Sequence, residues 1–316
     1  MYDLVIIGAA AAGSSAAIYA TRRNLNLIMV AKDTGGEVAL SGEVENFAGI
    51  ENITGYELAK KFNDHVRSYH VPIDEGFSVT EIRQEKNYHI VVAKDLVGKE
   101  KTYKTKTVII TSGIHPRELG VPGEEQLKSK GITYCTVCDG PLFKDKITAT
   151  IGAGNAAVES ALMMGTIAKK VYLITKYGPD DLNGGFPKAE NILLDKVRAL
   201  PNVEIIHHAD TTAILGETTV TGLTYTNSQT KETKELSLQG VMIHIGTVPN
   251  SQFVTSCAEK TPAGEIIVDS ICRTSCEGVF AAGDVTNIPY KQISIAVGHG
   301  ATAALSAIDY INRWEA

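Results

Sequence analysis

The chain has no basic excess: 30 lysines and arginines stand against 36 acidic residues, a formal charge of −6 over 316 residues. Binding nucleic acid needs a surplus of cations to displace counterions from phosphate, so no nucleic-acid partner is expected. Cysteine is scarce. Five cysteines are too few to staple a secreted scaffold, and an odd number fits a reducing, cytoplasmic setting. A charge comes at once at Asp3, leaving no room for a basic leader and a cleavage site, so no export signal is expected. Nor is there an apolar run of the roughly 20 residues that a membrane span takes. Residues 5–20 are weakly apolar, but Gly, Ala and Ser dominate them, and no membrane partner is expected. Low-complexity tracts and long charge runs are missing too. With 44% hydrophobic and 21% charged residues, a globular chain remains, long enough for two domains of roughly 150 residues each.

Leu4-Val5-Ile6-Ile7 is a continuous apolar run of strand length, as suits a strand buried on both faces of a parallel sheet. Gly8-Ala9-Ala10-Ala11-Ala12-Gly13 follows, residues 14–22 read as a helix, and Leu27-Ile28-Met29-Val30 closes a βαβ unit. The grammar returns at residues 147–151, then Gly152-Ala153-Gly154-Asn155-Ala156-Ala157, a helix through Met164, and Val171-Tyr172-Leu173-Ile174. One spacing separates Gly8 from Gly152 and Leu27 from Val171, so two dinucleotide-fold units share an internal register. Strand-like stretches follow at 78–82, 88–92 and 101–105 in the first half, and at 218–226 and 230–236 in the second. Each set leads into an apolar run ending in glycine, Gly113 or Gly246, where the chain is expected to cross between domains. The predicted fold is α/β, with two Rossmann-like dinucleotide-binding domains (three-layer ββα). The first is discontinuous, residues 1–114 with 245–316, and the second spans 115–244.

A glycine turn between strand and helix lets backbone approach a pyrophosphate, whose charge meets the first N–H groups of the helix. Gly152, Gly154 and Ala157 keep a G-x-G-x-x-A spacing, whereas Ala10 takes the middle glycine's place between Gly8 and Gly13. Either loop alone could serve only tight strand–helix packing; repetition in register favours nucleotides. Near the end, Gly278-Val279-Phe280-Ala281-Ala282-Gly283-Asp284 puts an acid directly after a buried strand and a glycine. It could accept a ribityl or ribose hydroxyl, or merely cap a turn. Lys291-Gln292-Ile293 and a helix over 294–312 follow. This order resembles the two-dinucleotide-binding flavoproteins, which implies FAD on the first unit plus the tail.

Tyr134-Cys135-Thr136-Val137-Cys138-Asp139-Gly140 lies just before the second unit. Two thiols three apart can close a disulfide, and such motifs often lower one thiol's pKa. Asp139 could move the proton that exchange requires. Half a zinc site is the alternative, with Cys272 and Cys276 as the other half. Their spacing is one residue too long for a knuckle and they fall in or beside a strand-like stretch, so no metal is expected. Cys257, Cys272 and Cys276 are expected to be ordinary buried residues.

Along essentially its full length the chain resembles the low-molecular-weight thioredoxin reductases. The resemblance is carried by residues 8–13, Gly35-Gly36, Val44-Glu45-Asn46-Phe47, Thr111-Ser112-Gly113, 135–140, 152–159, and 278–284 with Gln292. It implies a homodimeric FAD enzyme that passes two electrons from flavin to a Cys135–Cys138 disulfide and on to thioredoxin. A rotation between domains would bury and expose the dithiol in turn. By the same carry-over Cys138 faces the flavin, Cys135 attacks the partner disulfide and Asp139 is the acid/base. FAD contacts fall on Gly8, Ala10, Ala12, Gly13, Gly35, Gly36, Asn46, Ser112, Gly113, Gly283, Asp284, Lys291, Gln292 and Ile293.

Members of that family grip the NADPH 2′-phosphate with His-Arg-Arg after the second strand of the second unit, and with a further arginine. Here the stretch reads Ile174-Thr175-Lys176-Tyr177-Gly178-Pro179-Asp180-Asp181. One lysine is a poor substitute for a planar guanidinium fork, and Asp180 and Asp181 would repel a phosphate. No acid ends the strand as an NAD ribose would favour, although Lys169 or Lys170 could compensate for the lost arginines. Three enzyme readings follow, in order. The first is a thioredoxin reductase fed by reduced ferredoxin, as in the ferredoxin-dependent flavin type. The second is an NAD(P)H enzyme of altered preference, such as NADH, and the third a dithiol oxidase that passes electrons to oxygen. A flavin-binding module with structural cysteines is the non-enzyme alternative.

Overall fold

The computed structural model describes residues 1–41, 43–179 and 189–314. The chain divides into two compact units, Met1–His115 with Val248–Ala316, and Pro116–Thr247. Ile114–Pro116 and Thr247–Pro249 pair as a short two-stranded sheet where the chain passes from one to the other.

In the first unit, strands Ile73–Glu75, Leu27–Ala31, Tyr2–Ile7 and Glu100–Ile110 lie side by side in that order, all parallel. Alternation sorts their side chains. Leu4, Ile6, Met29 and Ile109 pack against helices Ala11–Thr21, Gly55–Ser68 and Ile293–Ile311. Val5, Ile7, Ile28, Val30, Val108 and Ile110 pack on the opposite layer with Phe77, Ile82, Val91 and Tyr103. A strand covered on both faces needs apolar residues at every position, which is why 4–7 shows no polar alternation.

The strand expected at 101–105 and the apolar run after it are one strand, Glu100–Ile110. Its first half pairs antiparallel with His89–Lys94, and Ser78–Gln84 lies beyond that. Its second half runs parallel to Tyr2–Ile7 and to Val279–Ala281. The pattern changes from alternating to fully apolar because the neighbours change midway, with no break in the chain.

The second unit has a parallel sheet in the order Ile132–Thr133, Gly240–His244, Ile147–Gly152, Lys170–Ile174, Val203–Ile206. Helices Asn155–Ile167 and Asn191–Arg198 cover one face through Val158, Ala161, Met164, Leu194 and Val197. An antiparallel sheet of Ala209–Leu215, Gly222–Asn227 and Thr233–Ser237 covers the other through Ile214, Leu223 and Tyr225. Its first strand escaped the sequence pattern because only Ala209 and Ile214 of its residues are buried. The stretch around Cys272 and Cys276 lies beside the strand Val279–Ala281 rather than within it. The Asp269 carboxylate accepts the Ile271 and Arg273 N–H groups and winds it into turns, leaving only isolated bridges. Among the described residues no helix is long and apolar enough to cross a membrane.

Candidate active site

Gly8 ends the strand Tyr2–Ile7 at φ +104, where a Cβ would lie 2.4 Å from the Thr111 carbonyl oxygen. Thr111 Oγ1 donates to Ile7 O at 2.8 Å and sits 3.2 Å from Gly8 O, clamping the loop to the neighbouring strand. A Cβ on Gly13 would meet Gly8 O at 2.1 Å, so the first helical turn is drawn onto the strand end. No side chain caps the helix Ala11–Thr21, and its first N–H groups suit an anion. Ala10, in the middle glycine's place, lies against Gly36, where an added Cβ would come within a tight 3.3 Å of the Ala10 Cβ. Gly35 and Gly36 turn with positive φ, and Asp33 Oδ1 accepts the Gly36 N–H at 2.8 Å. Ala12 is buried, packed by Gly283 and by Gly300 of the last helix.

Of the remaining expected cofactor residues, Ser112 and Gly113 follow the strand Glu100–Ile110. Asn46 Nδ2 donates to Gln292 Oε1 at 3.3 Å across 246 residues of chain. Gln292 precedes the helix Ile293–Ile311, whose first residue is Ile293. Asp284 is half-buried, its Oδ1 is buried with no hydrogen-bond partner, and desolvation pushes its pKa up to about 6 although Lys291 pulls the other way. Lys291 Nζ donates to Thr286 O at 2.6 Å and pairs with Glu265 at 2.9 Å. The Gly283 N–H donates to His299 Nδ1 at 3.1 Å, which leaves the imidazole proton on Nε2. Ser112 Oγ donates to Asn250 O at 2.6 Å, and the Asn250 N–H to Gly113 O at 3.0 Å.

In the second unit Cys135 and Cys138 form a disulfide with Cα atoms 5.3 Å apart. Cys135 stands at the start of the short turn Thr136–Asp139, and its Sγ accepts the Cys138 N–H at 3.3 Å. That donor favours a thiolate on Cys135 once the bond opens. Asp139 Oδ2 is hydrogen-bonded by Thr133 Oγ1, whereas Oδ1 is buried without a partner. Burial raises the Asp139 pKa above the usual carboxylate range, the Thr133 hydroxyl opposing it. Thr133 Oγ1 also accepts the Cys135 N–H at 3.0 Å, tying acid and cysteine to one hydroxyl. A closed pair offers no thiolate to zinc. The other three thiols are buried, and Cys272 and Cys276 donate to His299 O and Gln84 Oε1, each at 3.5 Å.

The second glycine loop follows the first in outline. Gly152 has φ +151 and a Cβ there would strike His244 O at 2.2 Å. Around Gly154 a Cβ would meet nothing within 4 Å, so its backbone faces open space. At the strand end, Lys176 Nζ lies 5.4 Å from the Tyr177 ring, and Lys170 is paired with Glu204 at 2.8 Å. Asp180 and Asp181 lie outside the described residues. Thr133, Asn250, His299 and His244 were not singled out in the sequence. Only His244 carries a signal, as an ionisable residue inside the apolar run Val241-Met242-Ile243-His244-Ile245.

The sequence pattern of the family described as pyridine nucleotide-disulphide oxidoreductase matches residues 2–300. Pseudomonas aeruginosa has a relative, an alkyl hydroperoxide reductase subunit, with 40% identity over 100% of this chain and 59% of that protein. The NADH dehydrogenase of Bacillus subtilis is 37% identical, covering 99% of this chain and 59% of that protein. The chain thus spans only 59% of the length of these curated relatives. The crystal structure of thioredoxin reductase from Streptococcus pyogenes is 34% identical, covers 99% of both chains and superposes with a TM-score of 0.89. Its paired Rossmann-like domains are the fold found here. Members of the matching family are FAD-binding flavoproteins. The first unit fits that cofactor: the orphaned Asp284 oxygen awaits a hydroxyl donor, and the uncapped helix Ala11–Thr21 awaits a pyrophosphate.

Proposed function

The chain belongs to the pyridine nucleotide-disulphide oxidoreductase family, and from that premise we propose a flavin disulfide oxidoreductase that reduces a thioredoxin-type partner through Cys135 and Cys138. The closed Cys135–Cys138 turn beside a half-buried carboxyl of raised pKa carries this reading. FAD, when bound, would supply the two-electron chemistry. In the first unit the loop 8–13 with Gly35 and Gly36 would hold its pyrophosphate, and Asp284 would accept a hydroxyl. Asn46, Ser112, Gly113, Gly283, Lys291, Gln292 and Ile293 would line the rest of its length.

The second unit, read as a domain of NAD(P)H-binding type, carries the working pair. Two electrons open the disulfide, Cys138 receiving them, and Asp139 gives and retakes a proton. The Cys135 thiolate attacks the partner's disulfide, expelling one partner thiol. Cys138 then attacks the mixed disulfide at the Cys135 sulfur, which restores the pair and frees the reduced partner. A homodimer working in the cytoplasm belongs to the same proposal.

Two donors have support. The open backbone at Gly154 favours NADH, because no arginine fork for a 2′-phosphate follows the strand end. The same missing arginines favour reduced ferredoxin, which needs no nucleotide site. Anaerobic mixing of oxidised holoenzyme with NADH, NADPH or reduced ferredoxin, followed by flavin absorbance, separates them. NADH is expected to bleach the flavin; bleaching by reduced ferredoxin alone would select the second donor. A reduced enzyme that never transfers electrons to thioredoxin would overturn the function itself.

A further inference from the structure

The mechanism leaves one buried polar cluster of the second unit unused. Thr150 Oγ1 lies 3.2 Å from Ser160 Oγ, which lies 2.6 Å from Thr136 Oγ1, which lies 2.7 Å from His244 Nε2. All three hydroxyl residues are buried, and burial holds the imidazole neutral by pulling its pKa down to about 4. Each hydroxyl has one proton, so Ser160 and Thr136, with two partners apiece, donate to one and accept from the other. The three bonds therefore point one way along the chain, whichever tautomer His244 adopts, and they polarise one another. They tie the strands Ile147–Gly152 and Gly240–His244 and the helix Asn155–Ile167 to Thr136, which lies between the two cysteines.

We propose that His244 is a positioning residue for the redox pair, holding the Cys135–Cys138 turn through Thr136 so that the sulfurs stay within reach when the disulfide opens. The 5.3 Å between their Cα atoms permits closure without backbone movement. Reduction by dithiothreitol breaks the S–S bond, leaves two protein thiols and converts the reagent to its cyclic disulfide. A held turn keeps the freed thiols at high effective concentration, which favours reclosure. Without the hold, the pair is easier to reduce.

The inference rests on reading Cys135–Cys138 as the working pair, and its test needs neither an electron donor nor a partner protein. Holoenzyme is equilibrated in dithiothreitol redox buffers, quenched in acid and alkylated, and the open and closed forms are counted by mass spectrometry. His244→Leu should shift the equilibrium at least threefold toward the dithiol, about 14 mV for a two-electron couple. His244→Gln, whose amide nitrogen reaches the place of Nε2, should restore most of the parent value. Thr136→Val, nearly isosteric, should match His244→Leu, and the double variant should add little to either. Should His244→Leu not fold, Thr136→Val carries the test. Equilibria within the error of the parent in both folded variants, or in Thr136→Val alone, would overturn the proposal. A shifted equilibrium in an enzyme that never reduces thioredoxin would leave the hold in place and refute the function.

Discussion

Replacing Asp284 by Asn should stabilise the FAD-free chain at neutral pH while weakening its hold on FAD. One oxygen of the carboxyl is buried without a partner, and its pKa stands at about 6 against the ordinary 3.8. The folded value lies above the unfolded one, so the folded chain binds this proton more tightly. Stability is therefore whole below the unfolded value and falls as pH rises from about 4 through about 6. At roughly 1.4 kcal/mol per unit, the loss comes to about 3 kcal/mol above pH 6. Asparagine has a similar shape and no charge to desolvate, but its amide would also lack a partner, costing about 1 kcal/mol or more. The FAD-free variant should thus gain about 1–2 kcal/mol at neutral pH, an advantage that disappears in acid. FAD reverses the order. A hydroxyl donating to a carboxylate contributes about 1.5–3 kcal/mol, so the variant should bind FAD about 10- to 150-fold more weakly. Urea unfolding of both FAD-free forms across this pH range, with flavin fluorescence for FAD release, reads both effects. A stability difference flat in pH, or FAD bound as tightly by the variant, would refute the reasoning.

The other predictions concern the two loops and the disulfide turn. Cys135→Ser should leave donor-driven flavin bleaching intact and abolish thioredoxin reduction, read by the partner's free thiols; normal turnover would remove Cys135 as the attacking thiol. Asp139→Asn should slow thiol transfer about 10²–10⁴-fold. In the parent, that rate should fall as pH rises through the elevated Asp139 pKa, and the variant should lack this limb in stopped-flow traces. Gly8→Ala should unfold the first unit or cost several kcal/mol, on the order of the largest single-site losses, since φ is +104 and a carbonyl oxygen blocks the methyl at 2.4 Å. Gly154→Ala, with open space around it, should keep the parent's melting temperature and lose NADH affinity by calorimetry.

Much of the fold is legible in short windows of sequence. Leu4-Val5-Ile6-Ile7, the loop to Gly13 and the helix after it need only local periodicity and turn chemistry, and their repetition from residue 147 makes the pattern hard to mistake. The long strand Glu100–Ile110 was split because its two halves face different neighbours, and a window of ten residues cannot see neighbours. The turns around Cys272 escape a local reading because the deciding contact is one side chain, Asp269, accepting two backbone N–H groups. The cysteine pair was plain from its spacing, yet the hydroxyls of Thr133 and Thr136 that govern its surroundings look like any other threonines in the chain.

The sequence by itself determined the two βαβ units, their glycine turns and the cysteine pair, because each depends on dihedral preferences and spacings within about thirty residues. It also shows that no arginine stands between Ile174 and Glu190, which needs no coordinates to read. Only the tertiary structure decided which distant groups share a site. Asn46 meets Gln292 across 246 residues, and Thr136 meets His244 across 108. Such pairings are set by how buried layers pack, and so are the desolvation and missing partners that shift Asp139 and Asp284. A carboxyl's pKa follows from what surrounds it, and for these two acids the largest cause is the burial that folding imposes.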